Sequence, residues 1–170
     1  MWSLIISGSL VFAISITNSQ AQGVNAAVLN AFASQSTIGT NDADGSLSLV
    51  NEKAVRRFKH SFKEAADEHW TVGEDSYRVS FVRGSVKHMV DYHLNGQWRN
   101  TIRIYDESHL PLDIRRAVKY EFFDSKIILV NELRYGKTLA YFVKITQDGW
   151  TKTIRVIDEE IAVIEEFREQ

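Results

Sequence analysis

The stretch that decides the fold prediction is Thr101–Glu107, TIRIYDE, which returns at Thr153–Glu159 as TIRVIDE. Five of the seven positions are identical, and the second copy begins 52 residues after the first. A turn and a tryptophan precede each copy: Asn95-Gly96 with Trp98, and Asp148-Gly149 with Trp150. Self-similarity of this kind indicates a structural unit built more than once. We therefore predict two similar halves.

Each half has the pattern of a helix followed by three or four antiparallel strands. Asn51 is a predicted N-cap, and Val55, Phe58 and Phe62 follow it at helical spacing. Pro111 suits the first turn of a second helix, because its missing amide would have no partner there. Alternating segments then predict strands over 77–81, 86–94, 98–104, 127–135, 139–145, 150–156 and 161–167. Helices on one face of a curved antiparallel sheet are an α+β fold, here two tandem repeats, 51–109 and 110–170.

The N-terminus has the pattern of a processing signal. Leu4–Ile16 is mostly apolar, and Ser19-Gln20-Ala21 offers small residues to a signal peptidase. A membrane-spanning helix needs ~20 apolar residues, so we predict a signal peptide over 1–21 and no membrane insertion of the mature chain. One feature is atypical, since no Lys or Arg precedes the apolar run. Residues 22–50 are predicted to be a flexible segment and linker, polar from Ser34 to Ser48.

Composition excludes several classes of function. The chain contains no cysteine, which rules out disulfides and zinc–thiolate sites and fits a periplasmic or secreted protein that relies on its core. Its 20 basic and 22 acidic residues give a net charge of −2, so neither nucleic acid nor an anionic membrane is indicated as a partner.

The spaced apolar positions resemble those of a known family. The positions that carry the resemblance are Val55, Phe58, Phe62, Ala65, Trp70, Tyr77, Val79, Phe81, Leu110-Pro111, Ile114, Lys119-Tyr120 and Lys126-Ile127. From about Asn51 to Phe167 they look like the PepSY-like periplasmic proteins of Bacteroidetes, whose domain resembles the beta-lactamase inhibitory protein. The resemblance implies a non-enzymatic, inhibitor-like or ligand-binding module of the cell envelope and brings no catalytic motif. The polar linker departs from the family's compact N-terminus.

A search for catalytic and metal-binding patterns returns little. Neither the Gly-x-Ser-x-Gly pattern of hydrolases nor a phosphate-binding glycine loop occurs. The five histidines show no two-His helical motif with an intervening Glu, and a metal site assembled from distant parts, such as His69 with His93, stays open. Asp106-Glu107 and Asp158-Glu159 have the character of turn residues. We predict no catalytic residue, metal or cofactor.

One face of the sheet is the predicted binding surface. If the apolar strand positions face the helices, period-two alternation places a mixed set of cations, aromatics and aliphatics on the opposite face. The predicted binding residues are Arg78, Met89, Arg103, Tyr105, Phe142, Lys144 and Arg155. Arg and Tyr are enriched at interface hot spots, although an ordinary solvated sheet would also carry Arg and Lys.

The sequence therefore favours a secreted or periplasmic module that binds a protein or peptide through its open sheet face. Two alternatives remain. One is a hydrolase or metal-dependent enzyme with a dispersed site, and the other is a structural envelope protein that dimerises through a sheet edge. The identity of the partner and the oligomeric state are not predicted.

Overall fold

The computed structural model describes residues 47–168, so the predicted signal peptide and most of the predicted linker lie outside the described residues. Within this range two helices and eight strands are found. The helices are α1 (Glu52–Ser61) and α2 (Leu112–Glu121). The strands are β1 (Ala66–Val72), β2 (Ser76–Arg83), β3 (Val86–His93), β4 (Trp98–Tyr105), β5 (Lys126–Tyr135), β6 (Thr138–Gln147), β7 (Trp150–Ile157) and β8 (Glu160–Arg168). They form one antiparallel sheet in chain order, with β1 and β8 at its edges.

Local sequence sets where the helices begin. The Asn51 side chain accepts a hydrogen bond of 2.9 Å from the amide of Lys53, which confirms the predicted N-cap. Ala54 and Phe58, four residues apart, are the buried residues of α1. Pro111 precedes the first residue of α2, where a missing amide costs nothing. Neither helix of the described range is long and apolar enough to cross a membrane.

Both helices pack on the same face of the sheet, as predicted. Phe58 of α1 is 1 % exposed and lies in a cluster with Trp70, Val79 and Phe81. A second cluster lies under α2 and includes its buried residue, Val118. The α+β class is therefore confirmed, with one apolar core beneath each helix.

The fold also includes the last residues of the predicted linker. Leu47–Leu49 form a single 3₁₀ turn, and Val50 is buried in the core beneath α1. The folded part therefore includes residues from at least Leu47, four positions before the predicted start at Asn51.

The two heptapeptides do not occupy equivalent strands, which corrects the premise of the prediction. Each half consists of one helix followed by four strands. Thr101–Glu107 begins in β4, the fourth strand of its half, whereas Thr153–Glu159 begins in β7, the third strand of its half. The helices start at Glu52 and Leu112, 60 residues apart, which differs from the 52-residue spacing of the heptapeptides. Each half has the predicted order of one helix followed by strands. The heptapeptides, however, lie at different positions in the two halves, so they do not show where one half corresponds to the other.

Candidate functional site

Five of the seven predicted binding residues lie on the sheet face opposite the helices, which we call the distal face. Arg78, Met89, Phe142, Lys144 and Arg155 are the five. Met89 and Phe142 belong to one apolar cluster, separate from the cores beneath the helices. Phe142 is paired with Arg155, and Lys144 with Thr153, across β6 and β7. The parity prediction therefore holds for strands β2, β3, β6 and β7.

Arg103 and Tyr105 lie on the helix side, so their predicted placement is wrong. Tyr92 pairs with Trp98, whereas the preceding residue Asp91 pairs with Asn100. Arg99 is the extra residue of a β-bulge. Because of this bulge, the residues of β4 after Arg99 lie on the face opposite to the one that alternation counted from Trp98 predicts. The same bulge turns Ile102 and Ile104 to the distal face, where they join the cluster of Met89.

The centre of the distal face is apolar and buried. We call this group the distal cluster, and its members are Met89, Ile102, Leu133, Ala140, Phe142 and Ile157, with Ile104 packed against them. Met89 is 3 % exposed, and Ile102 and Phe142 are 0 % exposed. Neither described helix packs on this face. The prediction of exposed aliphatic and aromatic side chains is therefore wrong, because the distal cluster is packed rather than solvated.

Ion pairs surround the distal cluster. The Arg78 Nε lies 2.7 Å from Oδ1 of Asp91 and its Nη2 lies 2.9 Å from Oδ2, which is a bidentate pair. Burial leaves Asp91 only 4 % exposed. Arg155 Nη2 donates to Glu160 at 3.1 Å, and the Lys144 ammonium lies 6.0 Å from the ring centroid of Phe167. The distal face thus combines an apolar centre with a charged rim.

A second polar group lies on the helix side, between the cores of α1 and α2. Glu132 is 6 % exposed and accepts two hydrogen bonds from Arg103 Nη1, at 2.9 and 3.0 Å. The Tyr105 hydroxyl donates to the same carboxylate at 2.7 Å. Burial, then the bond to Glu132, raises the pKa of Tyr105 well above its usual value. Arg103 and Tyr105 therefore neutralise and satisfy a buried carboxylate, a role that the sequence interpretation missed.

A cleft of about 440 Å³ opens beside this group, at the end of the β2–β3 hairpin. Its lining is Arg83, Gly84, Ser85, Val86, His88, Arg103 and His109. His88 is 8 % exposed and stacks on Phe81, with 4.8 Å between the ring centroids. Burial first, and then the charges of Arg103 and Arg83, lower the pKa of His88. The carboxylate of Glu132 acts in the opposite direction and raises the pKa of His88.

A chain of hydrogen bonds runs along the rim of the cleft. Ser108 Oγ contacts Asp106 Oδ1 at 2.5 Å, and His109 Nδ1 lies 2.9 Å from Ser108 Oγ. His109 Nε2 is 3.3 Å from Ser85 Oγ. If Ser108 donates to Asp106, His109 carries its proton on Nδ1 and can accept the Ser85 proton on Nε2. Such an order of groups is the one that activates a serine nucleophile. Asp106 remains 68 % exposed, however, whereas the acid of a catalytic triad is buried.

A wider groove of about 610 Å³ lies beside α1. It is lined by Arg56, Arg57, His60, Ser61, Phe62, Tyr92, Trp98, Thr101 and Arg134. Two of its cations already have partners: Arg56 forms an exposed pair with Glu52, and Arg57 donates to the carbonyl of Gly96 at 2.7 Å. The groove adds positive charge to the helix side of the molecule.

The sheet edge at β8 combines exposed apolar and acidic residues. Ile164 and Phe167 are 36 % and 45 % exposed. Glu165 and Glu166 lie between them along the strand. Charged residues on an edge strand oppose pairing with another strand.

Comparisons with known proteins support the fold. No protein-family model matches this sequence, and no curated protein matches it. Solved structures do match, among them a DUF2874 family protein from Bacteroides ovatus and a candidate periplasmic protein from Bacteroides eggerthii, each at 14 % identity and a TM-score of 0.56. The matches cover 70 % of this chain and 87 % and 88 % of theirs. A BLIP-like protein from Bacteroides fragilis matches at 15 % identity and the same TM-score, over 70 % of this chain and 86 % of its own. These similarities show that the chain has a BLIP-like α+β fold.

Proposed function

We propose that the protein is a non-enzymatic binding module of the periplasm or of the secreted fraction, related to the PepSY-like proteins, that takes a protein or peptide on its distal face. The observation that carries the proposal is the distal cluster with its charged rim. Protein interfaces commonly have an apolar centre and a polar rim. The names of the B. eggerthii and B. fragilis proteins favour the same location and kind of function.

The rim determines how a partner approaches. Because Ile102 and Phe142 are 0 % exposed, a partner that contacts the distal cluster has to displace the side chains that bury it. Lys144 is half-buried and lies beside the cluster on β6, so a partner can meet it first. Its ammonium group favours an acidic residue in the bound segment.

Site-specific cross-linking tests this proposal. A photo-reactive phenylalanine at position 87, an exposed residue of β3 paired with Ile104 of the distal face, leaves Lys144 in place and should form an adduct with a protein from the envelope extract of the source organism. The matched control is position 120 on α2, where Tyr120 is 87 % exposed on the helix side. Excess wild-type protein should suppress the adduct, and the Lys144→Glu variant should suppress it less. Adducts at position 120 alone, or equal competition by both proteins, would overturn the proposal.

The hydrolase alternative rests on the chain from Asp106 to Ser85. The acid at the start of this chain, Asp106, is 68 % exposed, whereas the acid of a catalytic triad is buried. Release of p-nitrophenol from p-nitrophenyl acetate by the wild type, abolished in Ser85→Ala, would favour this alternative over binding.

The structural alternative rests on the exposed apolar residues of β8. Dimerisation through this edge should be lost when Ile164 or Phe167 is replaced by Lys, and sedimentation velocity measures it. A monomer in both the wild type and the variant would exclude edge pairing.

A further inference from the structure

The cleft at the end of the β2–β3 hairpin has features that the proposed binding at the distal face does not use. It lies on the helix side of the sheet, whereas the distal cluster lies on the other. Two arginines and two histidines line it, and its volume of about 440 Å³ is within the ~300–1,000 Å³ range of small-molecule sites.

Arg103 lines this cleft, and only one of the three nitrogen atoms of its guanidinium group donates to Glu132. Both of its hydrogen bonds to Glu132 come from Nη1, and within residues 47–168 neither Nε nor Nη2 donates a hydrogen bond. Its side chain is 36 % exposed, while Glu132 is already satisfied by Nη1 and by the Tyr105 hydroxyl. A planar guanidinium with two spare donors matches the geometry of a carboxylate.

His88 is a second residue of the cleft lining. More than nine-tenths of this residue is buried, it lines the cleft, and its Nδ1 has no hydrogen-bond partner among the described residues. Nδ1 is itself buried and not open to the cleft, so His88 contributes part of the cleft wall and its Nδ1 is not a ready ligand. Stacking on Phe81 holds the ring in place.

The remaining polar side chains of the lining are Arg83, Ser85 and His109. Among residues 47–168, Arg83 forms an ion pair with Glu64, and both side chains of that pair are more than half exposed, so the pair is weak. The Ser85 hydroxyl and the His109 ring also line the cleft and are 3.3 Å apart, paired with each other. The donors that an anion meets in the cleft are therefore the guanidinium groups of Arg83 and Arg103.

We propose that this cleft binds a carboxylate group of a small molecule or peptide, with Arg103 and Arg83 as the cationic ligands and with His88, His109 and Ser85 around it. The proposal does not depend on binding at the distal face, because the two surfaces share no lining residue.

Titration with sodium succinate tests the proposal, with the full chain and with the Cε1–H resonances of His88 and His109 as readouts. Succinate should shift both resonances in a saturable way, and sodium chloride at equal ionic strength should not. Arg83→Gln should weaken binding at least about threefold, because a partly exposed cation is lost. Arg116→Gln, on the exposed surface of α2, is the matched control and should bind as the wild type does.

A second variant addresses the arginine that contacts Glu132. Arg103→Gln should weaken succinate binding roughly tenfold, the loss of one charge-assisted hydrogen bond. If Arg103→Gln does not fold, judged by its near-ultraviolet circular dichroism, Arg83→Gln decides the outcome. No saturable shift with succinate, or equal affinities for Arg83→Gln and Arg116→Gln, overturns the proposal. Tighter binding of phosphate than of succinate overturns the assignment to a carboxylate.

Discussion

The hydroxyl of Tyr105 donates a hydrogen bond of 2.7 Å to Oε2 of Glu132, a carboxylate that is 6 % exposed. Arg103 binds the same carboxylate from the solvent side, so one buried charge has a neutral donor and a cation. A buried carboxylate needs such partners, because its transfer from water is otherwise very unfavourable. These three residues therefore stabilise the centre of the sheet.

Tyr105→Phe should lower the free energy of unfolding by about 2 kcal/mol, the usual loss for a hydrogen bond to a charged group. Urea denaturation followed by circular dichroism measures the change. Tyr120→Phe is the control, since Tyr120 is 87 % exposed, and it should be nearly neutral. Equal stabilities for the two variants would mean that the bond to Glu132 contributes nothing to the fold.

Gly96 packs against the first turn of α1, and the close approach makes it sensitive to substitution. Its φ is +78°, and an added Cβ would lie 2.8 Å from Lys53 Cβ and 2.9 Å from the amide nitrogen of Ala54. Gly84 is the matched control, with a φ of +60° and no atom within 4 Å of an added Cβ. Both alanine variants should lose about 1 kcal/mol from left-handed strain. Gly96→Ala should lose at least ~1 kcal/mol more, as expected for overpacking, in the same urea experiment.

Alkaline pH should destabilise the protein through its buried tyrosines. Burial raises the pKa of Tyr92 to about 12, from about 10 in an unfolded chain. Between these values the unfolded state loses the proton first, so stability is fully present below about pH 10 and declines as pH rises towards about 12. Urea midpoints at about pH 9 and about pH 11 should therefore differ less for Tyr92→Phe than for the wild type. An equal decline in both proteins would contradict this assignment.

Local patterns were sufficient for both helices and for seven of the eight strands, because each depends on residues near in sequence. Asn51 and Pro111 mark the two helix starts. The sequence analysis missed β1 (Ala66–Val72), where an irregularity between Ala66 and His69 interrupts the regular register. The face of the sheet on which each residue of β4 lies could not be predicted, because it depends on one extra residue, Arg99, in the pairing of β4 with β3. This bulge is why Arg103 and Arg155 lie on opposite faces although each is the third residue of its heptapeptide.

The candidate site likewise depends on contacts between residues that are distant in sequence, which local patterns do not reveal. Glu132 was missed because its partners Arg103 and Tyr105 are 29 and 27 residues away in sequence. The sequence does contain a signal that the distal face is buried. The continuous apolar run Leu139–Val143 on β6 is typical of a strand that is covered on both faces. The sequence interpretation assumed instead that this face is open, either as a binding surface or as an ordinary solvated sheet.

The pair of Arg78 and Asp91 gives the strongest test of the distal face as a packed surface. Two hydrogen bonds of 2.7 and 2.9 Å join the guanidinium to a carboxylate whose side chain is 6 % exposed. Arg78→Met removes the cation and leaves the carboxylate buried, so it should cost at least about 3 kcal/mol of unfolding free energy. Asp91→Asn leaves the cation 21 % exposed and partly solvated, so it should cost less.

The double variant Arg78→Met/Asp91→Asn should be more stable than the sum of the single losses predicts, by at least ~1 kcal/mol, because the two groups are in contact. Chemical denaturation of all four proteins completes the double-mutant cycle. Arg56→Met and Glu52→Gln form the matched control cycle, since that pair is 70 % and 88 % exposed and should show a coupling near zero. A coupling for Arg78 and Asp91 as small as that of the control would mean that solvent screens the distal rim. The distal face would then be open, and a partner could reach the cluster without displacing the side chains around it.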